Sequence, residues 1–267
     1  MTVLVLRLAG PMQAWGSPQQ LNKFRRTERY PTKSAVIGLL AAALGRSRYD
    51  SVDDLTQLRF GVRVDRPGQM LIDYHTVSSL FDAKRNYNPS GGQLPNKKGY
   101  RSPQTSTQVT ERYYLSDACF VAGMEWEDRA LLDILNNALH YPIFPLYLGR
   151  RSCPPDRPVW LGVFEDSLEK VLVEMIPWQA CPWQAKEDNE DNSVNRKPVS
   201  CELIIEDIDG DTQIIDNVKS FDPYHRSYTK RWIKFIPEVM VPMSNDVSGL
   251  SRDIVVQDDP FLLLEDD

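Results

Sequence analysis

The sequence predicts an α+β fold on a ferredoxin-like core, the order strand–helix–strand–strand–helix–strand. Three observations lead there. Apolar segments of period two alternate with two segments of helical apolar spacing. Glycine and proline punctuate the joints. One long stretch inside the second half carries no core pattern at all. The core is expected over residues 1–165 with an insert at 78–112, followed by a smaller, mostly β C-terminal region over 166–267.

Thr2 to Leu8 alternates and is rich in Val and Leu, which predicts the first strand, and Gly10-Pro11 ends it. Gln13 to Tyr30 reads as a long ordered loop carrying Trp15, Phe24, Tyr30, Lys23, Arg25, Arg26 and Arg29. Pro31-Thr32 starts a helix, Ser34 to Leu44 continues it with a broad apolar face, and Gly45 stops it. Leu58 to Asp65 and Met70 to Val77 are strands about the turn Arg66-Pro67-Gly68. The insert Ser78 to Arg112 is poor in aliphatics and rich in cations. Tyr113 to Met124 resumes as one strand, Glu127 to His140 is a helix, and Ile143 to Gly149 and Val159 to Phe164 are strands. Beyond Asp166, Leu168 to Ile176 suits a short helix, and Lys186 to Ser193 is a polar loop. Cys201 to Ile205 and Gln213 to Ile215 form a hairpin, Trp232 to Met240 is a last strand, and Gln257 to Asp267 is an acidic, frayed end.

Charge is divided along the chain. Residues 1–113 hold 17 Lys/Arg and 8 Asp/Glu, a net of +9, whereas residues 114–267 hold 14 and 29, a net of −15. This predicts a basic working surface in the first half and an acidic, outward-facing second half. No apolar run is long enough to span a membrane, and MTVLVLRLAG reads as a strand, not a signal peptide. The four cysteines (Cys119, Cys153, Cys181, Cys201) have no paired spacing, so zinc is not expected, and they are read as free cytosolic thiols.

The segment YPIFPLYLGRRSCPP, Tyr141 to Pro155, is the most informative one. An apolar run meets Gly149, two arginines, a cysteine and two prolines. Glycine admits positive φ and close backbone approach, arginine offers a fixed fork of donors to phosphate, and the prolines stiffen the exit. The plain alternative is a strand end with two solvated arginines. The loop at 13–30 and the insert, with Lys97, Lys98 and Arg101, mix cations with aromatics, as single-stranded RNA binding requires. The RNA-recognition aromatic sheet signature is missing, so stacking on the main sheet is not predicted. There is no P-loop and no metal-ligand spacing, and Asp207 to Asp211 reads as a hairpin turn and not a calcium loop. Among three histidines, His75 beside Tyr74 is the one candidate acid–base group.

Three blocks in fixed order, LRLAGPMQAWG (Leu6 to Gly16), PTKSAVIGLLAAALGR (Pro31 to Arg46) and Tyr141 to Pro155, resemble the CasD subunits of Cascade, the type I-E CRISPR surveillance complex. These belong to the RAMP superfamily of CRISPR RNA-binding proteins. The resemblance implies an RRM-like core with a protruding β-hairpin thumb, which the insert would supply. It implies a non-catalytic, cytoplasmic subunit of a hetero-oligomeric complex, without cofactor or metal. Such a subunit grips the 5′ handle of CRISPR RNA (crRNA), caps the backbone filament in antiviral defence, touches the backbone subunit CasC and lies near the large subunit CasA. From the matched blocks it implies Lys33, Gly149, Arg150 and Arg151 as RNA contacts; Trp15, Arg26, Arg29, Tyr30 and the insert cations complete the candidate set. The alternative is a metal-independent RAMP endoribonuclease that processes precursor crRNA, with Tyr74, His75 and nearby lysines as its groups.

Overall fold

Residues 1–16, 24–78, 107–180 and 198–243 are described by a computed structural model. The strand β1 (Thr2–Ala9) is buried at every position. That is the pattern of a strand covered on both faces. Two short strands follow, β2 (Met12–Gln13) and β3 (Phe24–Arg25), and then the helices α1 (Lys33–Ala43) and α2 (Asp53–Thr56). Next come β4 (Arg59–Arg66), β5 (Gln69–Ser78), β6 (Thr107–Ser116), β7 (Cys119–Trp126) and α3 (Arg129–His140). Asp128 caps α3 by accepting from the Ala130 amide at 2.8 Å. Then follow β8 (Trp160–Phe164) and α4 (Leu168–Lys170), which widens into a π turn at Val171–Met175. The last strands are β9 (Val199–Glu206), β10 (Thr212–Ser220) and β11 (Ser227–Val241).

A seven-stranded sheet runs in the order β10-β11-β9-β4-β7-β1-β8, with antiparallel pairing at every step. The first two helices, α3 and the apolar side chains Leu4, Leu6, Phe60, Phe120 and Ile233 fill the larger core on one face. Leu168, Val171 and Leu172 cover Val3, Val5, Val121 and Ile205 on the other. The strands of region 166–267 therefore extend the sheet begun by β1. The second sheet gathers β2, β6 and β3, with β5 paired to β6 along ten residues from Gln69 opposite Ser116 to Ser78 opposite Thr107.

Four local expectations change. The hairpin expected from Cys201 to Ile205 and Gln213 to Ile215 does not form, because β11 lies between β9 and β10 and pairs with both. The single strand expected over Tyr113 to Met124 is two strands, broken at Asp117, where φ is +53° and the amide donates to Pro11 O at 3.2 Å. The break lets β6 belong to one sheet and β7 to the other. No strand forms over 143–149, because Pro142 and Pro145 lack N–H groups and the amides of Ile143 and Phe144 are committed to α1. Ile143 N and Phe144 N donate to Ala43 O and Ala42 O at 3.0 and 3.2 Å, closing the C-terminus of α1. The loop expected over 13–30 contributes β2 and β3.

Candidate nucleic-acid interface

The first and third blocks meet at one corner. Gly149 has φ of +82°, and a Cβ there would run into the backbone oxygen of Ala14. Only glycine fits both conditions. The Ala14 amide donates to Leu148 O at 3.1 Å, Leu148 N to Cys153 O at 2.7 Å, and Cys153 N to Arg150 O at 2.9 Å. The turn 148–153 is thus closed on itself and pinned to the segment after β2. Gly10 is packed against Pro154 O, Asp156 N donates to Ala9 O at 3.0 Å, and Asp156 pairs with Arg7 at 2.6 Å.

Arg150 is half-buried. Its Nη1 donates to Tyr113 O at 3.1 Å, and its guanidinium lies 4.6 Å from the Tyr114 ring centre. One edge of the fork is therefore anchored to β6. Arg151 is exposed on the same turn. The parallel register of β3 with β6 sets Arg25 opposite Arg112, whose own side chain is exposed and precedes Tyr113. Arg26 and Arg29, both exposed, follow β3 directly. The fold thus gathers cations from 24–29, 112 and 150–151 around one strand, although they are far apart in sequence.

Two expected contacts lie inside instead. Trp15 is fully buried: its Nε1 donates to Gln13 Oε1 at 3.1 Å, and Gln13 Nε2 donates to Ala118 O at 2.7 Å. Its backbone holds the basic loop, with Trp15 N donating to Thr27 Oγ1 at 2.7 Å and Glu28 N to Trp15 O at 2.6 Å. Trp15 therefore positions this site and offers no ring for stacking. Lys33 is buried as well, with its ammonium 2.9 Å from Glu206. Burial holds its pKa below the ordinary lysine value, and Glu206 opposes that shift. The Lys33 amide donates to Asp216 at 2.9 Å, and Asp216 also takes Arg231 at 2.6 Å. A lysine committed in this way ties α1 to β9, β10 and β11. Tyr30, half-buried beside the same network, has its phenol pKa raised by burial and by Asp216. Lys97, Lys98 and Arg101 lie outside the described residues.

A family model described as CRISPR-associated protein (Cas_Cas5) matches residues 3–239. The chain belongs to the Cas_Cas5 family. It is similar to "CRISPR system Cascade subunit CasD" of Escherichia coli (strain K12), with 39% identity over 180 residues, 65% of this chain and 77% of that one. Among solved structures it resembles a chain of a "CRISPR RNA-guided surveillance complex", with 35% identity, a TM-score of 0.68, and 90% and 91% of the two chains covered. A "Crystal structure of Cas protein" matches with 32% identity and a TM-score of 0.64, covering 91% of this chain and all of that one.

The other reactive groups of this Cas_Cas5 chain are quiet or exposed. Cys119, Cys153 and Cys201 are buried and free, and burial pushes the Cys201 thiol up to about 12. His75 is exposed and sits 2.9 Å from Asp73. Among the described residues no cluster of His, Cys, Asp and Glu is arranged to hold a metal ion, and no helix is long and apolar enough to cross a membrane.

Proposed function

We propose that this chain is a non-catalytic RNA-binding and assembly subunit of a CRISPR surveillance complex, gripping the 5′ handle of crRNA at the Gly149 corner. The observation that carries this reading is the seating of Arg150 and Arg151 on a turn that the first block pins in place. An arginine held in advance loses little freedom when it engages phosphate, and its fork can bind two oxygens at once. Arg26 and Arg29 continue the cationic path, and Arg112 on β6 adds to it.

The strand order β4-β7-β1-β8, with α1 and α3 on one face, supports a ferredoxin-like core. The β5–β6 ribbon supports a thumb, since its ends at Ser78 and Thr107 are register partners. It exposes Met70, Ile72 and Tyr74, at 50%, 54% and 61%. Apolar groups so placed suit a neighbouring protein subunit, which we assign to the backbone subunit CasC, with CasA near the RNA handle. In this hetero-oligomer the chain caps one end of the filament.

Non-catalytic function is favoured over RNA cleavage by the geometry of the one candidate pair. Tyr74 and His75 are successive residues of β5 and so project to opposite faces of the ribbon. The deciding experiment incubates purified protein with its repeat RNA in EDTA. Stable binding with intact RNA is the expected result, and cleavage overturns the assignment.

A further inference from the structure

The second half of the chain is acidic overall, yet the open face of the β10–β11 hairpin is not. Along β11, Arg231 and Ile233 turn into the core, so Lys230, Trp232 and Lys234 project to the other side, and all three are exposed. Trp232 is 44% exposed, with Gln213 of β10 opposite it on one side and the Asp207 amide donating to its carbonyl at 3.1 Å on the other. The register sets Gln213 opposite Trp232 and Ile215 opposite Lys230. Lys219, also exposed, lies further along β10, at a break in its register with β11. The acidic and basic groups of these two strands that face inward, Asp216 and Arg231, are paired with each other. Between Thr212 and Ser220, and between Ser227 and Ile236, no other Asp or Glu occurs. The lysines make no ion pair among the described residues, unlike Lys33 or Lys170. Asp207, Asp209 and Asp211 lie in the β9–β10 turn and mark one end of the face.

We infer that this face is a second nucleic-acid site, a short track for a single strand, separate from the Gly149 corner. Lys230 and Lys234 are four residues apart on β11, about 13 Å along the strand, with Trp232 midway between them. That spacing lets Lys230 and Lys234 bracket a base stacked on Trp232 while each meets a backbone phosphate. Lysine cations with one aromatic platform and no base-reading groups suit binding that is tolerant of sequence. The shared chemistry is an unpaired polyanion with exposed base faces, supplied either by RNA or by single-stranded DNA. The aspartate turn adjoins the Lys234 end, so the track runs from Lys234 past Trp232 to Lys230 and on away from the aspartates.

The test measures anisotropy of labelled oligo-U and oligo-dT on the full chain at several salt concentrations. It uses Trp232→Ala, Lys230→Ala with Lys234→Ala, and Arg150→Ala with Arg151→Ala, alone and combined. The expected result is residual binding in the arginine variant that Trp232→Ala weakens about 5- to 150-fold. The lysine pair should flatten the log–log salt slope of that residual binding by about 1.4. Equal loss with oligo-U and oligo-dT assigns the track to either strand type, and loss with one alone assigns it to that one. Binding that the arginine variant abolishes and that the hairpin variants leave untouched overturns the track and keeps the corner. Binding untouched by the arginine variant but lost with Trp232→Ala keeps the track and overturns the corner. All side chains changed on the hairpin are exposed, so an unchanged melting temperature shows that the fold is intact.

Discussion

Replacing Gly149 by alanine should both destabilise the protein and disable its RNA corner. At φ of +82° an alanine loses about 1–2 kcal/mol to backbone strain. Its Cβ also meets Ala14 O well inside 3.0 Å, so the chain must part there. Parting the two segments breaks the bond from Ala14 N to Leu148 O, which contributes about 1 kcal/mol. Together these give about 3 kcal/mol, or about 6–12 °C in melting temperature for a chain of this size. Asparagine separates the two causes, because it tolerates positive φ but still carries a Cβ. If close approach dominates, Gly149→Asn melts with Gly149→Ala; if strain dominates, it recovers much of the loss. Calorimetry reads the stability, and anisotropy with handle RNA reads the site. An alanine variant that melts within about 1 °C of the parent and binds RNA normally would refute the proposed packing.

The arginines give the next expectation: Arg151→Ala should leave stability unchanged and flatten the salt slope of handle binding by about 0.7, whereas Arg150→Ala also costs about 1 kcal/mol because it loses Tyr113 O and the Tyr114 ring. Lys33→Ala should cost about 2–3 kcal/mol, below the full cost of a broken buried pair because Glu206 is partly exposed, and its salt slope for RNA should match the parent. Acid should act partly through Glu169, whose pKa is held down by its hydrogen bond from Arg59. Its stabilising effect is complete above the ordinary value of 4.5 and is lost as pH falls through the lower folded value, so Glu169→Gln should be less stable than the parent by up to about 1 kcal/mol at pH 7, with the gap closing below about pH 4 in denaturant titrations. Replacing residues 79–106 with a short Gly/Ser linker should leave a folded monomer, because Ser78 and Thr107 already face each other, and size-exclusion with the partner subunits should show that it no longer joins the filament.

The sequence by itself determined the elements whose signal is local. Period-two apolar runs located β1, β4 and β5, and helical spacing located α1 and α3, because each must bury one continuous face. It also located the corner glycine, since glycine, paired arginines and prolines in one run restrict the backbone whatever surrounds them. The tertiary structure decided which polar groups face outward. Lys33 and Arg150 look alike as cations in the sequence, yet one is closed against Glu206 from 173 residues away and the other is anchored at the surface. The same applies to Trp15, which looks like a stacking ring beside the basic loop and is in fact the buried post that holds it. It applies in reverse to Trp232, placed in an acidic half and exposed only because the next residues along β11 turn inward. Expectations over 78–112 fall mostly on residues outside the described ones. Local spacing fixes which residues share a face, but only long-range pairing decides whether that face meets water, a core or a counter-charge.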